Sequence, residues 1–173
     1  VYEEMVYEGY GPNGVALIVE VTTDNKNRTA SDIRKMLASH KGNLGETGCV
    51  GWMFDRKGYI TLSKSKVKVD EESLMNLALG AGAQDFKSEE GSDVYDIITS
   101  PTDLDSVKNA LKNKNIEILS SEVTMIPQTQ IALSGDDAKC MLKLMDALEE
   151  HDDVKNIYAN FDISNEEMEK IEV

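Results

Sequence analysis

The chain has 173 residues, 40% of them hydrophobic, and a formal net charge of −14 at pH 7. A chain of this length can bury a core in one or two domains, and its composition is typical of a globular protein. The acidic excess excludes a protein that coats nucleic acid with its whole surface, because phosphate binding requires lysine and arginine. No apolar run approaches the roughly 20 residues of a membrane-spanning helix, so we predict no membrane partner.

The charge is unevenly distributed along the chain. Residues 1–68 contain 10 Lys and Arg against 8 Asp and Glu, a balance of +2, whereas residues 69–173 contain 8 against 24, a balance of −16. Two interpretations stay open. The acidic part could simply maintain solubility, or it could direct nucleic acid toward the less acidic first part.

The first part of the chain predicts two strands and a tight turn. Glu4–Glu8 and Val15–Thr22 are extended runs, the second mostly β-branched or apolar as in a buried strand. Between them, Gly9–Gly14 matches the GxGxxG pattern of dinucleotide-binding loops. That loop requires a helix after the third glycine, and a strand follows here. The pattern therefore indicates a hairpin turn with positive φ angles.

A helix and a second hairpin are predicted next. Thr29 and Asp32 form a capping box, and Gly42 marks the end of the helix. Val50–Phe54 and Tyr59–Leu62 then form two strands joined by a short turn. The first unit is thus predicted to be β-β-α-β-β.

Trp52 lies in the first strand of that second hairpin. It alternates with Val50 and Phe54, so all three side chains are predicted to lie on one face of the strand. We expect this face to belong to the core.

The second half predicts an α-β-β-α-β block followed by a tail. The block consists of a helix from an Asp70 cap to Gly80, strands over Asp85–Ser88 and Asp93–Thr99, a helix opened by Thr102 with Asp105, and a strand over Glu117–Met125. The tail consists of a strand over Gln130–Leu133, a helix opened by Ser134 with Asp137, a strand over Val154–Phe161, and a fraying acidic end over Asn165–Val173.

These elements predict an α+β fold of two ferredoxin-like α/β sandwich units, the second inserted into the first. The α-β-β-α-β block is most of one such sandwich. A lone β-α-β tail cannot bury its own faces, and the first unit lacks a second helix to cover its sheet. We therefore assign residues 1–65 with 128–173 to a discontinuous domain and residues 66–127 to an inserted domain.

The residues give no indication of an enzyme, a metal site or a cofactor. His40 and His151 are the only histidines, and His40 is expected to bind the last carbonyls of its helix. The acids of Glu149–Asp153 are expected to form a solvated charge run. Cys49 and Cys140 lack the spacing of metal ligands or of a disulfide framework, so we expect reduced, buried thiols in a cytoplasmic protein.

One group of residues could bind nucleic acid. It comprises the cations and one amide of the predicted helix and its flanking loops: Lys26, Arg28, Arg34, Lys35, Lys41 and Asn43. Such a row could follow a phosphate backbone, and the glycines at 42, 45 and 48 would allow close approach. Ordinary surface cations on a solvated helix are the alternative. Tyr7 and Tyr10 are the aromatic residues best placed to stack on a base, although packing under the hairpin is the stronger expectation.

Five strings along the chain are distinctive: VYEGYGPNGVALIVE, TDNKNRT, KGNLGETGCVGWMF, MIPQTQ and DDVKNIYANFD. They closely resemble the YebC/PmpR family, which includes a mitochondrial translational activator of cytochrome c oxidase. The resemblance implies a non-enzymatic, DNA-binding transcriptional regulator. Two alternatives stay open: a translation factor that binds RNA on the ribosome, and a protein-interaction module with an acidic docking surface. Full-length members carry a basic helical domain ahead of the position of Val1, so we expect a fragment.

Overall fold

A computed structural model describes residues 1–172 and shows an α+β fold with ten strands and five helices in that range. The strands are β1 (Glu3–Tyr10), β2 (Ala16–Thr23), β3 (Asn43–Leu44), β4 (Phe54–Ser63), β5 (Asp85–Lys87), β6 (Val94–Thr99), β7 (Ser120–Pro127), β8 (Ile131–Leu133), β9 (Val154–Ala159) and β10 (Phe161–Ile163). The helices are α1 (Lys26–Ser39), α2 (Glu71–Gly80), α3 (Leu104–Asn113), α4 (Gly135–Glu150) and α5 (Asn165–Glu172).

The chain forms two α/β units, with the second inserted into the first. The first unit consists of Val1–Asp55 together with the chain from Ile126 onward, and the second is Arg56–Met125. The predicted fold class is confirmed. None of the helices in residues 1–172 combines the length and the apolar character needed to cross a membrane.

The first unit is built on an antiparallel sheet with the strand order β3-β1-β2-β9. β1 and β2 form its central hairpin, in register from Glu3–Thr23 to Tyr10–Ala16. The connecting turn contains Asn13 with φ 58° and Gly14 with φ 75°, so the predicted positive φ angles are confirmed.

Helices α1 and α4 bury one face of this sheet. Side chains of β2 alternate between the two faces, and every second one contacts the helices. The fully buried members of this core include Leu17, Val19, Ile33, Leu37, Met141, Leu144 and Leu148. The helix packing therefore places the outer face of α1 toward solvent, which is where most of the predicted binding residues lie.

The strand predicted over Val154–Phe161 is two strands that meet at Asn160. The buried Asn160 side chain accepts a hydrogen bond from the Ala16 N–H (2.7 Å), and the Asn160 N–H donates to the Ala16 carbonyl (3.2 Å). The Asn160 carbonyl accepts from the Ile131 N–H (2.7 Å), and β10 pairs in parallel with β8. Asn160 thus ends the four-stranded sheet and starts the second pairing.

The second unit is a complete β-α-β-β-α-β sandwich with the sheet order β5-β6-β4-β7. The predicted hairpin between Val50–Phe54 and Tyr59–Leu62 is wrong, because Phe54–Ser63 is one strand that pairs with β6. Gly58 is not a turn residue. A Cβ at Gly58 would lie 2.3 Å from Thr99 Oγ1, so this glycine permits close packing inside a sheet. β4 is the strand that the predicted α-β-β-α-β block lacked.

Helix α1 begins earlier than predicted. Thr29 is not its cap; Asn25 is, and the Asn25 side chain accepts a hydrogen bond from the Arg28 N–H at 3.1 Å. The predicted Asp70 cap of α2 is confirmed, because its carboxylate accepts from the Ser73 N–H at 3.1 Å.

Helix α4 is capped from another part of the chain. Ser134 occupies the predicted cap position but makes no capping hydrogen bond with its side chain. Glu167 of α5 accepts instead from the Gly135 N–H (3.2 Å), and this bond lowers the pKa of Glu167 below its ordinary value. The acidic end predicted to fray is therefore the helix Asn165–Glu172, while Val173 lies outside the described residues.

Trp52 and the two cysteines lie in environments that differ from the predicted ones. Trp52 is 66% exposed because Gly51–Met53 form a 3₁₀ turn, although Val50 and Phe54 on either side are buried. The prediction that Trp52 belongs to the core is wrong. The two free cysteines, at 49 and 140, are half-buried instead of fully buried.

Candidate nucleic-acid interface

All six predicted binding residues are exposed, and they follow α1 in order. Their positions are the first turn for Lys26 and Arg28, the middle of the helix for Arg34 and Lys35, the loop after it for Lys41, and β3 for Asn43. The structure thus brings them onto one helix and the segment that follows it. Their electrostatic environments differ.

Arg28 is engaged within the protein. Its guanidinium Nη2 lies 3.3 Å from Asp24 Oδ1 and 3.4 Å from Asp153 Oδ2. The hydrogen bond to Asp153 raises the pKa of Arg28 above its ordinary value, with further contributions from the charges of both carboxylates. Two acids therefore offset its charge, and a phosphate would have to compete with both of them.

Asp153 is the centre of a network that ties the start of α1 to the end of β2. Thr29 Oγ1 lies 2.8 Å from both Asp153 Oδ2 and Thr23 Oγ1. Because a carboxylate only accepts, Thr29 donates to Asp153. The bond from Thr29, followed by that from Arg28, lowers the pKa of Asp153.

His151 extends this network. Its Nδ1 accepts the Asp153 N–H at 3.1 Å, so its Nε2, 3.0 Å from Asp32 Oδ2, carries the proton of the neutral ring. The charge run Glu149–Asp153 is therefore only partly solvated, because two of its members hold the start of β9 against α1. This turn adds negative charge beside the predicted interface.

Asp153→Asn is expected to remove an acid-sensitive part of the stability. The folded state depresses the pKa of Asp153, so its stabilisation is present above the ordinary value of about 3.9 and is lost as the pH falls through the folded pKa. The difference in unfolding free energy between wild type and Asp153→Asn should shrink from about pH 6 to about pH 2.5, as measured by urea unfolding. Asp152→Asn, an exposed neighbour, is the control. A difference that is constant with pH would contradict the role of Asp153.

Lys41 is also paired. Its Nζ lies 3.3 Å from Asp137 Oδ1 at the start of α4. Lys41 has φ 61°, which is the left-handed conformation that ends α1, one residue before the predicted end at Gly42. The prediction for His40 is confirmed, because His40 Nδ1 lies 2.7 Å from the Met36 carbonyl.

Arg34 and Lys35 are adjacent cations near the middle of α1. Both are exposed on α1, and neither lies within 4.0 Å of a carboxylate oxygen among the described residues. Lys26, at the first residue of α1, is likewise exposed and in no ion pair within the described residues, so three of the five predicted cations are accessible, whereas Arg28 and Lys41 are paired with acids.

The glycine-rich segment after α1 folds around Glu8, which sequence analysis did not identify. The buried Glu8 carboxylate accepts hydrogen bonds from the N–H groups of Gly48 (2.6 Å), Val50 (3.2 Å) and Gly51. The Glu8 carbonyl accepts from the Gly45 N–H (2.9 Å). Such converging N–H groups form a site for an anion, and here the anion is the protein's own side chain.

The prediction that the glycines at 42, 45 and 48 admit a phosphate therefore needs a correction. The N–H of Gly48 faces Glu8, and a Cβ at Gly42 would lie 2.1 Å from the Tyr10 carbonyl oxygen. Gly42 and Gly45 thus allow close packing within the protein, whereas Gly48 supplies a backbone φ angle of 90°. A glutamate inside a strand with apolar neighbours was the available signal, but nothing local identified its partners.

The two tyrosines pack within the unit. Tyr7 contacts the core, and its hydroxyl donates to the Lys26 carbonyl at 3.2 Å. Burial raises the pKa of Tyr7. Tyr10 is half-buried. Packing under the hairpin, the stronger expectation for both, agrees with these positions.

Within residues 1–172, no group of three or more His, Cys, Asp or Glu side chains is arranged to hold a metal ion. The described surface instead combines an exposed cationic helix with a buried carboxylate that orders the adjoining loop. Fold and surface together define a two-unit α+β protein of the kind predicted from the sequence.

Residues 2–161 match the family model for the second and third domain of TACO1/YebC, and the chain belongs to this family. Similar curated proteins include one from Endomicrobium trichonymphae, 74% identical over 171 residues, and one from Pelotomaculum thermopropionicum, 56% identical over 164 residues. These alignments cover 99% and 95% of this chain, respectively, and 67% of each relative. Both relatives carry the name "Probable transcriptional regulatory protein".

The fold is also similar to that of a solved structure. A crystal structure of a conserved hypothetical protein from Aquifex aeolicus superposes with a TM-score of 0.79 and 41% sequence identity. The match covers 95% of this chain and 66% of that protein. The chain therefore spans about two thirds of the length of the relatives it matches.

Proposed function

We propose that the chain is part of a non-enzymatic regulator of gene expression that acts by binding DNA. The observation that carries this proposal is the shared name of its relatives, which are 50–74% identical over nearly the whole chain and are called probable transcriptional regulatory proteins. A cytoplasmic location accords with this role.

The exposed face of α1 supports the DNA-binding part of the proposal. Arg34 and Lys35 are adjacent, accessible and free of ion pairs within the described residues, as phosphate contacts require. Arg28 and Lys41 contribute by fixing the two ends of α1 to acids of the same unit. Lys26 and Asn43 complete the proposed interface. Phosphate contacts of this kind position a protein on DNA without selecting a base sequence.

We also propose that the two units are the protein's domains, one inserted in the other. The Gln128 N–H donates to the Met53 carbonyl at 2.9 Å, so the two ends of the interruption lie side by side within the first unit. Such an arrangement is typical of tolerated domain insertions.

The double variant Arg34→Gln, Lys35→Gln is expected to weaken binding to duplex DNA of about 20 base pairs regardless of sequence. The plot of log affinity against log salt should lose about 2 units of slope, because each phosphate contact releases close to one counterion. Fluorescence anisotropy at several low salt concentrations measures both quantities.

Lys112→Gln with Lys114→Gln removes the same charge from exposed positions of the second unit and is the matched control. Equal losses in both double variants would show that only net charge matters and would contradict the interface on α1. Binding to ribosomes with no binding to duplex DNA would contradict the DNA-binding proposal itself.

A further inference from the structure

Trp52 is held at the surface by an ordered loop. It is the only tryptophan of the chain, and it is 66% exposed. Its indole N–H donates to the Cys49 carbonyl (3.1 Å), and its own carbonyl accepts from Gln128 Nε2 (3.1 Å). The Gln128 N–H binds the next carbonyl, that of Met53. Because Glu8 holds the preceding residues, little conformational entropy remains to be lost when a partner binds this ring.

The exposed part of Trp52 limits the chemistry of a partner. The single donor of the indole is already used, so the ring cannot select a partner through a hydrogen bond at its edge. Its faces remain available. An aromatic face binds cations, and it also stacks on planar groups such as a nucleobase or a guanidinium.

The surrounding charge favours the cation. Gln128 Nε2 bridges the Trp52 carbonyl to Asp55 Oδ1, which lies 3.3 Å from it, so a carboxylate adjoins the Trp52 turn. Residues 42–55 contain two acids, Glu46 and Asp55, and no lysine or arginine. The next cations, Arg56 and Lys57, follow Asp55 in β4, and a guanidinium at the Trp52 turn would meet an aromatic face and a carboxylate.

We propose that Trp52 and Asp55 form a docking surface for a basic protein segment. An arginine of that segment stacks on the Trp52 ring and pairs with the Asp55 carboxylate. The net charge of −14 attracts such a segment, and the ordered turn supplies the specific contact. The surface is separate from the cationic face of α1 and does not depend on DNA binding.

The test uses a labelled peptide of about ten residues with alternating arginine and serine, titrated into the whole chain. Binding should quench Trp52 fluorescence, which reports on this surface alone because the chain has no other tryptophan. By anisotropy, Trp52→Ala and Asp55→Asn should each weaken the affinity about fivefold to tenfold. Trp52→Phe, which keeps a ring, should lose less. Asp105→Asn, which removes an exposed acid from α3, should change the affinity less than about twofold.

Two results would overturn the proposal. Equal weakening by Asp55→Asn and Asp105→Asn would show a general attraction to an acidic chain. Quenching of Trp52 by a single-stranded oligonucleotide of about ten thymidines, with no quenching by the peptide, would make the ring a platform for bases. Circular dichroism checks that each variant is folded. If Trp52→Ala does not fold, the affinity of Asp55→Asn for the peptide tests the proposal.

Discussion

Replacing Glu8 with alanine is expected to lower the free energy of unfolding of the first unit by about 3 kcal/mol. The Glu8 carboxylate is the acceptor for the N–H groups of Gly48, Val50 and Gly51, and it is only 7% exposed. Bonds to a charged acceptor contribute about 1.5–3 kcal/mol each, and rearrangement of the loop with entry of water recovers part of the loss. Urea unfolding followed by Trp52 fluorescence measures the effect, because Trp52 belongs to the same loop.

Two further variants distinguish the contribution of the Glu8 carboxylate to stability from the effect of any substitution in β1. Glu8→Gln keeps one acceptor oxygen and should lose less stability than Glu8→Ala. Glu4→Ala changes an exposed glutamate on the same side of β1 and should cost no more than about 0.5 kcal/mol. If Glu4→Ala and Glu8→Ala were equally destabilising, the loop would not depend on the Glu8 carboxylate.

Replacing Gly42 with alanine is expected to destabilise the first unit by about 3 kcal/mol. The added Cβ would lie 2.1 Å from the Tyr10 carbonyl oxygen and 3.1 Å from the Gly11 Cα. Both are backbone atoms, so no side chain can rotate away, and the pairing of Tyr10 with Asn43 in β1 and β3 must shift. The same urea titration measures the loss.

Gly80→Ala is the matched control, because a Cβ at this last residue of α2 would have no heavy atom within 4 Å. Alanine is favoured over glycine in a helix, so this variant should be neutral or more stable by up to about 1 kcal/mol. A loss below about 0.5 kcal/mol for Gly42→Ala would show that the β1–β3 contact adapts easily.

Local sequence signals predicted much of the secondary structure. The β1–β2 hairpin follows from two extended runs around a glycine-rich turn, and the helical spans follow from apolar periodicity and capping residues. The predictions were wrong where one residue type is typical of two different structural roles. Gly58 was interpreted as a turn residue, but it gives Thr99 room within a sheet. Thr29 was interpreted as a cap, but it donates to Asp153.

The candidate site, too, could be predicted only in part from the sequence. Sequence by itself determined the family resemblance, the fold class and the exposure of the cations around α1, because these depend on residue type and on spacing over a few residues. Only the tertiary structure decided which cations are paired with acids and which carboxylate accepts hydrogen bonds from the glycine-rich loop. Arg28 meets Asp153 across 125 residues, and Glu8 meets its three donors across 40 to 43. Partners at such separations are set by how the sheet and helices pack, which no local pattern encodes.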